Sequence, residues 1–164
     1  MVKSVGLDKL ACIETVSTIK LANKLNNAVD TLLSSESSSS EGGSGDGEKK
    51  LGIYIQINTS GEESKSGIST EEELKELLDN ISSSCPHLKI CGLMTIGAPG
   101  DYSCFDKLVN FRETAATILG LDSADQLELS MGMSGDFEEA IKRGSTSVRV
   151  GSTIFGARDY SNKK

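Results

Sequence analysis

One histidine, His87, and no tryptophan occur in this 164-residue chain, so catalytic pairs built on imidazole are scarce. The four cysteines, Cys12, Cys85, Cys91 and Cys104, show no CxxC spacing. Without it the usual redox and zinc signatures are missing, and thiols in apolar or helical surroundings read as small packed hydrophobes. Cys85-Pro86-His87 reads as a helix exit rather than a chelating set. No run of about 18 apolar residues appears, which excludes a transmembrane helix, and the opening MVKSVGLDKLACIETV lacks the apolar segment of a secretory signal. The expected compartment is therefore the cytosol. Seventeen basic against twenty-four acidic residues give a net charge of -7, and the basic residues are scattered apart from the short pairs Lys49-Lys50 and Lys163-Lys164. Neither nucleic acid nor an anionic membrane is an expected partner, because both require clustered Lys and Arg.

What is present is an alternation of apolar runs. Leu10 to Thr15 reads as a strand, and Val16 to Leu33 as a helix with Ile19, Ala22, Leu25, Val29 and Leu32 at helical spacing. The segment 34–50 is almost wholly Ser, Gly and charge, and is expected to be a disordered insertion loop. Residues 51–58, LGIYIQIN, have strand composition and end at the turn-rich 59–67. A capping box, Thr70 with Glu73, opens the next helix, whose buried stripe is Leu74, Leu77, Leu78 and Ile81. Lys89 to Ile96 repeats the strand pattern. Ser103 to Leu119 follows as a helix with Phe105, Leu108, Val109, Ala116 and Leu119 facing inward. Gln126 to Met131 is a strand, Asp136 to Arg143 a helix capped by Ser134 or Gly135, and Ser147 to Val150 the last strand.

This order, about five strands each joined to the next through a helix, is α/β with a parallel sheet and right-handed crossovers. An open doubly wound sheet and part of a (β/α)8 barrel both fit. Neither GxGxxG after the first strand nor GxxxxGK[ST] occurs, so the nucleotide-binding open sheets lose their main support and a partial barrel is preferred. In either architecture the ligand lies beyond the carboxyl ends of the strands. Those ends here carry Asn58-Thr59-Ser60-Gly61, Met94-Thr95-Ile96-Gly97, Ser130-Met131-Gly132-Met133-Ser134 and Arg149-Val150-Gly151-Ser152-Thr153. Glycine lets the backbone come close, and hydroxyls with adjacent N–H groups donate to phosphate oxygens, so a small phosphorylated ligand is the candidate. The same residues have a plainer reading, in which Ser134 is only an N-cap, Gly151-Ser152 ends a strand, and Met131 and Met133 are core.

The segments 53-IYIQINTSGEESKSGI-68, 92-GLMTIG-97, 129-LSMGMSGDFEEAI-141 and 144-GSTSVRVGSTIFGARDY-160 resemble the pyridoxal phosphate homeostasis protein family, one-domain relatives of the alanine racemase N-terminal barrel. The resemblance implies a non-catalytic protein that binds pyridoxal 5′-phosphate (PLP), buffers it and hands it to recipient enzymes. It assigns Ser134, Gly151 and Ser152 to the phosphate and Arg149 to the pyridine nitrogen, with Met131 near the ring. An arginine there stays protonated and donates to the nitrogen, which disfavours protonating the ring and makes it a poorer electron sink.

In the family a lysine at the end of the first barrel strand holds the aldehyde as a Schiff base. No lysine of this chain matches that position, and the chain is expected to begin just before the fourth strand, as the C-terminal portion (1–164) of one barrel domain lacking the first three strands. Lys65 is the remaining candidate amine near the strand ends, with a solvated loop lysine as its plainer reading. Two consequences are expected: weak, reversible PLP binding, and, from the open sheet edges, an isolated chain that is marginal, aggregation-prone or stabilised by self-association. The alternatives are a PLP-dependent racemase-like enzyme and a truncated barrel that binds nothing.

Overall fold

A computed structural model describes residues 2–37 and 49–156. Five strands form one all-parallel sheet in sequence order: β1 (Cys12–Val16), β2 (Leu51–Gln56), β3 (Leu88–Met94), β4 (Glu128–Met133) and β5 (Ser147–Arg149). Helices α2 (Ile19–Ser37), α3 (Glu71–Ser84), α4 (Ser103–Leu119) and α5 (Phe137–Lys142) make the crossovers, and short helices α1 (Val2–Val5) and α6 (Ser152–Phe155) flank them.

Among the described residues the helices cover one face only. Leu25 and Val29 of α2, Leu74, Leu77, Leu78 and Ile81 of α3, and Phe105 and Leu108 of α4 pack with Ile13, Ile53, Ile55, Leu93, Leu129 and Met131 of the strands in a single apolar core. The other face carries polar groups, and the sheet curls around it. In a flat sheet, residues three strands apart would be about 14 Å apart at an inter-strand spacing of about 4.8 Å. Glu14 of β1 nevertheless accepts a hydrogen bond of 2.8 Å from the Ser130 hydroxyl of β4. A concave sheet with its helices on the outside is the partial barrel expected from the alternation.

Local signals held where they are short-range. Thr70 and Glu73 form the reciprocal capping box of α3, and its expected stripe is buried. In α4 the buried set is Cys104, Phe105, Leu108, Ala115 and Ala116, whereas Val109 and Leu119 pack only partly buried against it.

Several boundaries move. Val16 belongs to β1, and α2 begins after Thr18, whose hydroxyl accepts from the Leu21 N–H. That helix continues to Ser37, into the segment expected to be loop, and residues 38–48 of that segment lie outside the described residues. β4 starts two residues later than expected because Ala124–Gln126 forms a 3-10 turn capped by the Ser123 hydroxyl. The N-cap of α5 is Asp136, neither Ser134 nor Gly135. Its carboxylate accepts from the Met133 N–H at 2.6 Å, bracing the end of β4 and leaving the Ser134 hydroxyl for another partner.

Candidate functional site at the strand ends

The carboxyl ends of β2 to β5 are tied together by side chains. The hydroxyls of Thr59 and Thr95 lie 2.8 Å apart, and Thr95 Oγ1 also donates to the Ile57 carbonyl. Arg149, at the end of β5, reaches across β4. Its Nη1 donates to the Ser130 carbonyl (3.1 Å) and hydroxyl (2.7 Å), and its Nη2 to the Thr95 carbonyl (2.6 Å). Glu14 Oε2 lies 3.8 Å from the same Nη1. Burial pushes the Arg149 guanidinium below its ordinary value, while Glu14 and then Asp136 push it back up. A half-buried arginine facing two carboxylates keeps its charge and a fixed direction.

Beside it, two loops meet. Ser134, following β4, accepts at its hydroxyl oxygen from the Gly151 N–H (3.0 Å) and, more weakly, the Thr153 N–H (3.4 Å), both following β5. Two backbone donors thus converge on one oxygen, and the exposed Ser152 hydroxyl lies between them in sequence. Of the residues expected to form the site, Ser134, Gly151, Ser152 and Arg149 come together at the ends of two adjacent strands.

Met131 does not join them. It is 0% exposed and packed in the core between sheet and helices. Successive strand residues point to opposite faces, so with Ser130 turned to Arg149, Met131 must face the helices. This corrects the placement of Met131 near a ring.

Lys65 is not a solvated loop lysine. Its amine donates to the Gly97 carbonyl (2.6 Å) and to Glu62 (2.7 Å), and its own carbonyl accepts from the Gln56 amide, so it clamps the loop after β2 to the loop after β3. A second amine, that of Lys107 on α4, donates to the Thr59 carbonyl at the same rim.

Sequence reasoning passed over Glu14, and it noted Ser130 at a strand end without giving it a role. The available signal was alternation: Cys12 and Glu14 flank the buried Ile13 in β1, as Glu128 and Ser130 flank the buried Leu129 in β4. Tyr54 extends the polar face, its hydroxyl donating to Glu128. Burial, then that bond, raise its pKa well above the ordinary phenol range. Burial likewise raises the thiols of Cys12, Cys85 and Cys91, and all four cysteines are free.

Two hollows among the described residues are lined by carboxylates, and neither suits an anion. One of about 340 Å³ beside Ser134 is lined by Asp136, Glu138 and Glu139, and one of about 360 Å³ by Glu113, Asp122 and Asp125 near the start of β4. The chemistry of the donors, rather than the larger hollow, marks the site. Among the described residues no group of three or more His, Cys, Asp or Glu is placed to hold a metal. No described helix is long and apolar enough to cross a membrane.

Comparison with known proteins gives the family and supports the fold. The human pyridoxal phosphate homeostasis protein is 43% identical over 167 aligned residues, covering 98% of this chain and 55% of the human protein. The Schizosaccharomyces pombe protein of the same name is 38% identical, covering 95% of this chain and 60% of its own length. This chain therefore spans little more than half the length of these relatives. Among solved structures, PipY of Synechococcus elongatus with PLP bound superposes with a TM-score of 0.65 at 25% identity, covering 92% of this chain and 63% of PipY. The sequence pattern of the alanine racemase N-terminal domain matches residues 6–159. A match over nearly the whole chain, on a curled parallel sheet of alternating strands and helices, makes this chain a member of the alanine racemase N-terminal domain family.

Proposed function

We propose that this chain binds PLP reversibly at the ends of β4 and β5 and acts as a non-catalytic carrier that holds the cofactor and releases it to recipient enzymes. The observation that carries the reading is the convergence of the Gly151 and Thr153 N–H groups on the Ser134 hydroxyl, next to the anchored Arg149. The donor set suits the ligand. Backbone N–H groups with the hydroxyls of Ser134 and Ser152 match phosphate oxygens, and a guanidinium matches an unprotonated ring nitrogen. PLP bound there supplies a reactive aldehyde and an electron-accepting ring. Arg149 leaves that nitrogen without a proton, which favours storage of the cofactor over chemistry on it.

Lys65 and Lys107 bring amines to the rim, but both are committed to carbonyl oxygens, and Lys65 also to a carboxylate. Binding therefore rests on phosphate and ring contacts and is readily reversed. A racemase-like reading would need a tyrosine to act as a base. The hydroxyl of Tyr54 is held protonated by burial and by Glu128. Loss of α-deuterium from labelled alanine in the presence of PLP would overturn the non-catalytic assignment.

The test of binding is a PLP titration followed by absorbance, with inorganic phosphate as competitor, dialysis, and borohydride reduction with peptide mass analysis. Saturation at one PLP per chain, competition by phosphate and full recovery of free PLP on dialysis are expected. Failure to saturate, or indifference to phosphate, removes the proposal. Stoichiometric label on Lys65 after reduction would show covalent capture and overturn its noncovalent part.

We infer also that copies of the chain associate. Among the described residues β1 and β5 pair on one side only and the concave face has no helical layer, and Phe155, soon after β5 in the chain, is 85% exposed. All-parallel sheets are normally covered on both faces, and open edges recruit other strands. Size-exclusion chromatography with light scattering should give a mass above 17.4 kDa that falls on dilution. A monomer at all concentrations would contradict this.

A further inference from the structure

Glu14 sits on β1, at the opposite edge of the sheet from Arg149 on β5, and 116 residues from the serine it contacts. Its carboxylate accepts the Ser130 hydroxyl proton at 2.8 Å, and the same Ser130 oxygen accepts from Arg149 Nη1 at 2.7 Å. A serine hydroxyl has one proton and two lone pairs. With the proton committed to Glu14, the lone pairs are left for the guanidinium, so the direction of the hydroxyl is set by the carboxylate. The curl of the sheet also brings Glu14 Oε2 within 3.8 Å of Nη1, adding direct attraction. Ser130 is fully buried, so water does not compete for either bond.

We propose that Glu14 is a positioning residue of the cofactor site: acting through the Ser130 hydroxyl, its carboxylate holds the Arg149 guanidinium where it meets the ring nitrogen of PLP. The inference rests on the reading of the strand ends as a PLP site and adds to it a residue from the far edge of the sheet. Asp136 is the other carboxylate that acts on Arg149, but its Oδ1 is bound to the Met133 N–H. Glu14 is the carboxylate that shares a partner, Ser130, with Arg149. An arginine not directed in this way would keep its charge and lose its aim, because its long side chain has several rotatable bonds and its donors work as a planar fork.

The experiment compares the full chain with Glu14→Gln, which keeps an acceptor for Ser130 and removes the charge, and with Ser130→Ala, which removes the bridge. Folding is checked first by far-ultraviolet circular dichroism. Each protein is titrated with PLP and, separately, with inorganic phosphate, and the circular dichroism band of bound PLP is recorded. Glu14→Gln should weaken PLP binding about tenfold, the scale of one charge-assisted hydrogen bond. Phosphate binding should stay within about twofold, and the PLP band should lose intensity as the ring is less firmly held. In an Arg149→Lys background, which lacks the fork, Glu14→Gln should add less than about twofold, since two residues acting through one contact are not additive. Unchanged or tighter PLP binding in Glu14→Gln, an equal loss for phosphate, or full additivity with Arg149→Lys overturns the role of Glu14 while leaving the PLP site standing. Absence of PLP binding in the unmutated chain overturns the site itself, and the role of Glu14 with it.

Discussion

A Gly92→Ala chain should unfold at a urea midpoint lower by about 1.5 M or more, or fail to accumulate in folded form. Gly92 of β3 pairs with Glu128 of β4, and a Cβ on Gly92 would overlap the Glu128 carbonyl outright, with the Glu128 carbonyl carbon at 2.7 Å and its nitrogen at 2.8 Å. The obstacle is backbone, not the tip of a mobile side chain, so the two strands must separate locally. Overpacking in a close-packed interior costs about 1–3 kcal/mol, and breaking a ladder at its first pair puts this case at the upper end. Taking about 3 kcal/mol and a urea slope of about 2 kcal/mol/M gives the shift stated. Gly135→Ala is the control, since nothing lies within 4 Å of the added carbon and its φ is not positive. Equal midpoints for the two variants would refute the account of Gly92.

Arg149→Ala should weaken PLP binding by about 30- to 100-fold, corresponding to about 2–3 kcal/mol for a charged donor lost from a desolvated position. Arg149→Lys should recover only part of it, because an ammonium cannot serve the Ser130 and Thr95 oxygens and the ligand together as a planar fork does. The alanine variant should also be less stable, since Arg149 ties β5 to the ends of β4 and β3. Binding and stability are separable by titrating inorganic phosphate: a loss confined to PLP belongs to the ring contact, whereas an equal loss for phosphate shows that the loops around Ser134 have shifted. PLP binding that survives in Arg149→Ala at nearly full strength would remove Arg149 from the site.

Much of the fold was legible because its signals are local. The spacing of Leu74, Leu77, Leu78 and Ile81 behind Thr70 and Glu73 describes one face of one helix, and α3 forms where that spacing places it. The strands were recognisable as apolar runs, but their ends slid by about two residues, since pairing partners rather than composition decide where a ladder starts. Ser134 shows the same limit. As a sequence neighbour of a helix start it reads as a cap, yet Asp136 occupies that position and the hydroxyl turns to the loop after β5. Met131 was placed near the ring by the resemblance alone, and its burial supports the plainer reading of the residue as core. Lys65 was read as solvated because its partners, Gly97 and the Gln56 amide, come from other parts of the chain.

The sequence by itself determined the β/α alternation, the parallel sheet it requires, and the chemistry available at the strand ends: hydroxyls, glycine backbone and one arginine. Tertiary structure alone decided which of these groups are free, which are already committed, and that a glutamate on the first strand serves an arginine on the last. Periodicity acts over a few residues, whereas the curl of a five-stranded sheet sums small rotations from strand to strand until its edges face each other. That is how Glu14 and Ser130, 116 residues apart, come within 2.8 Å.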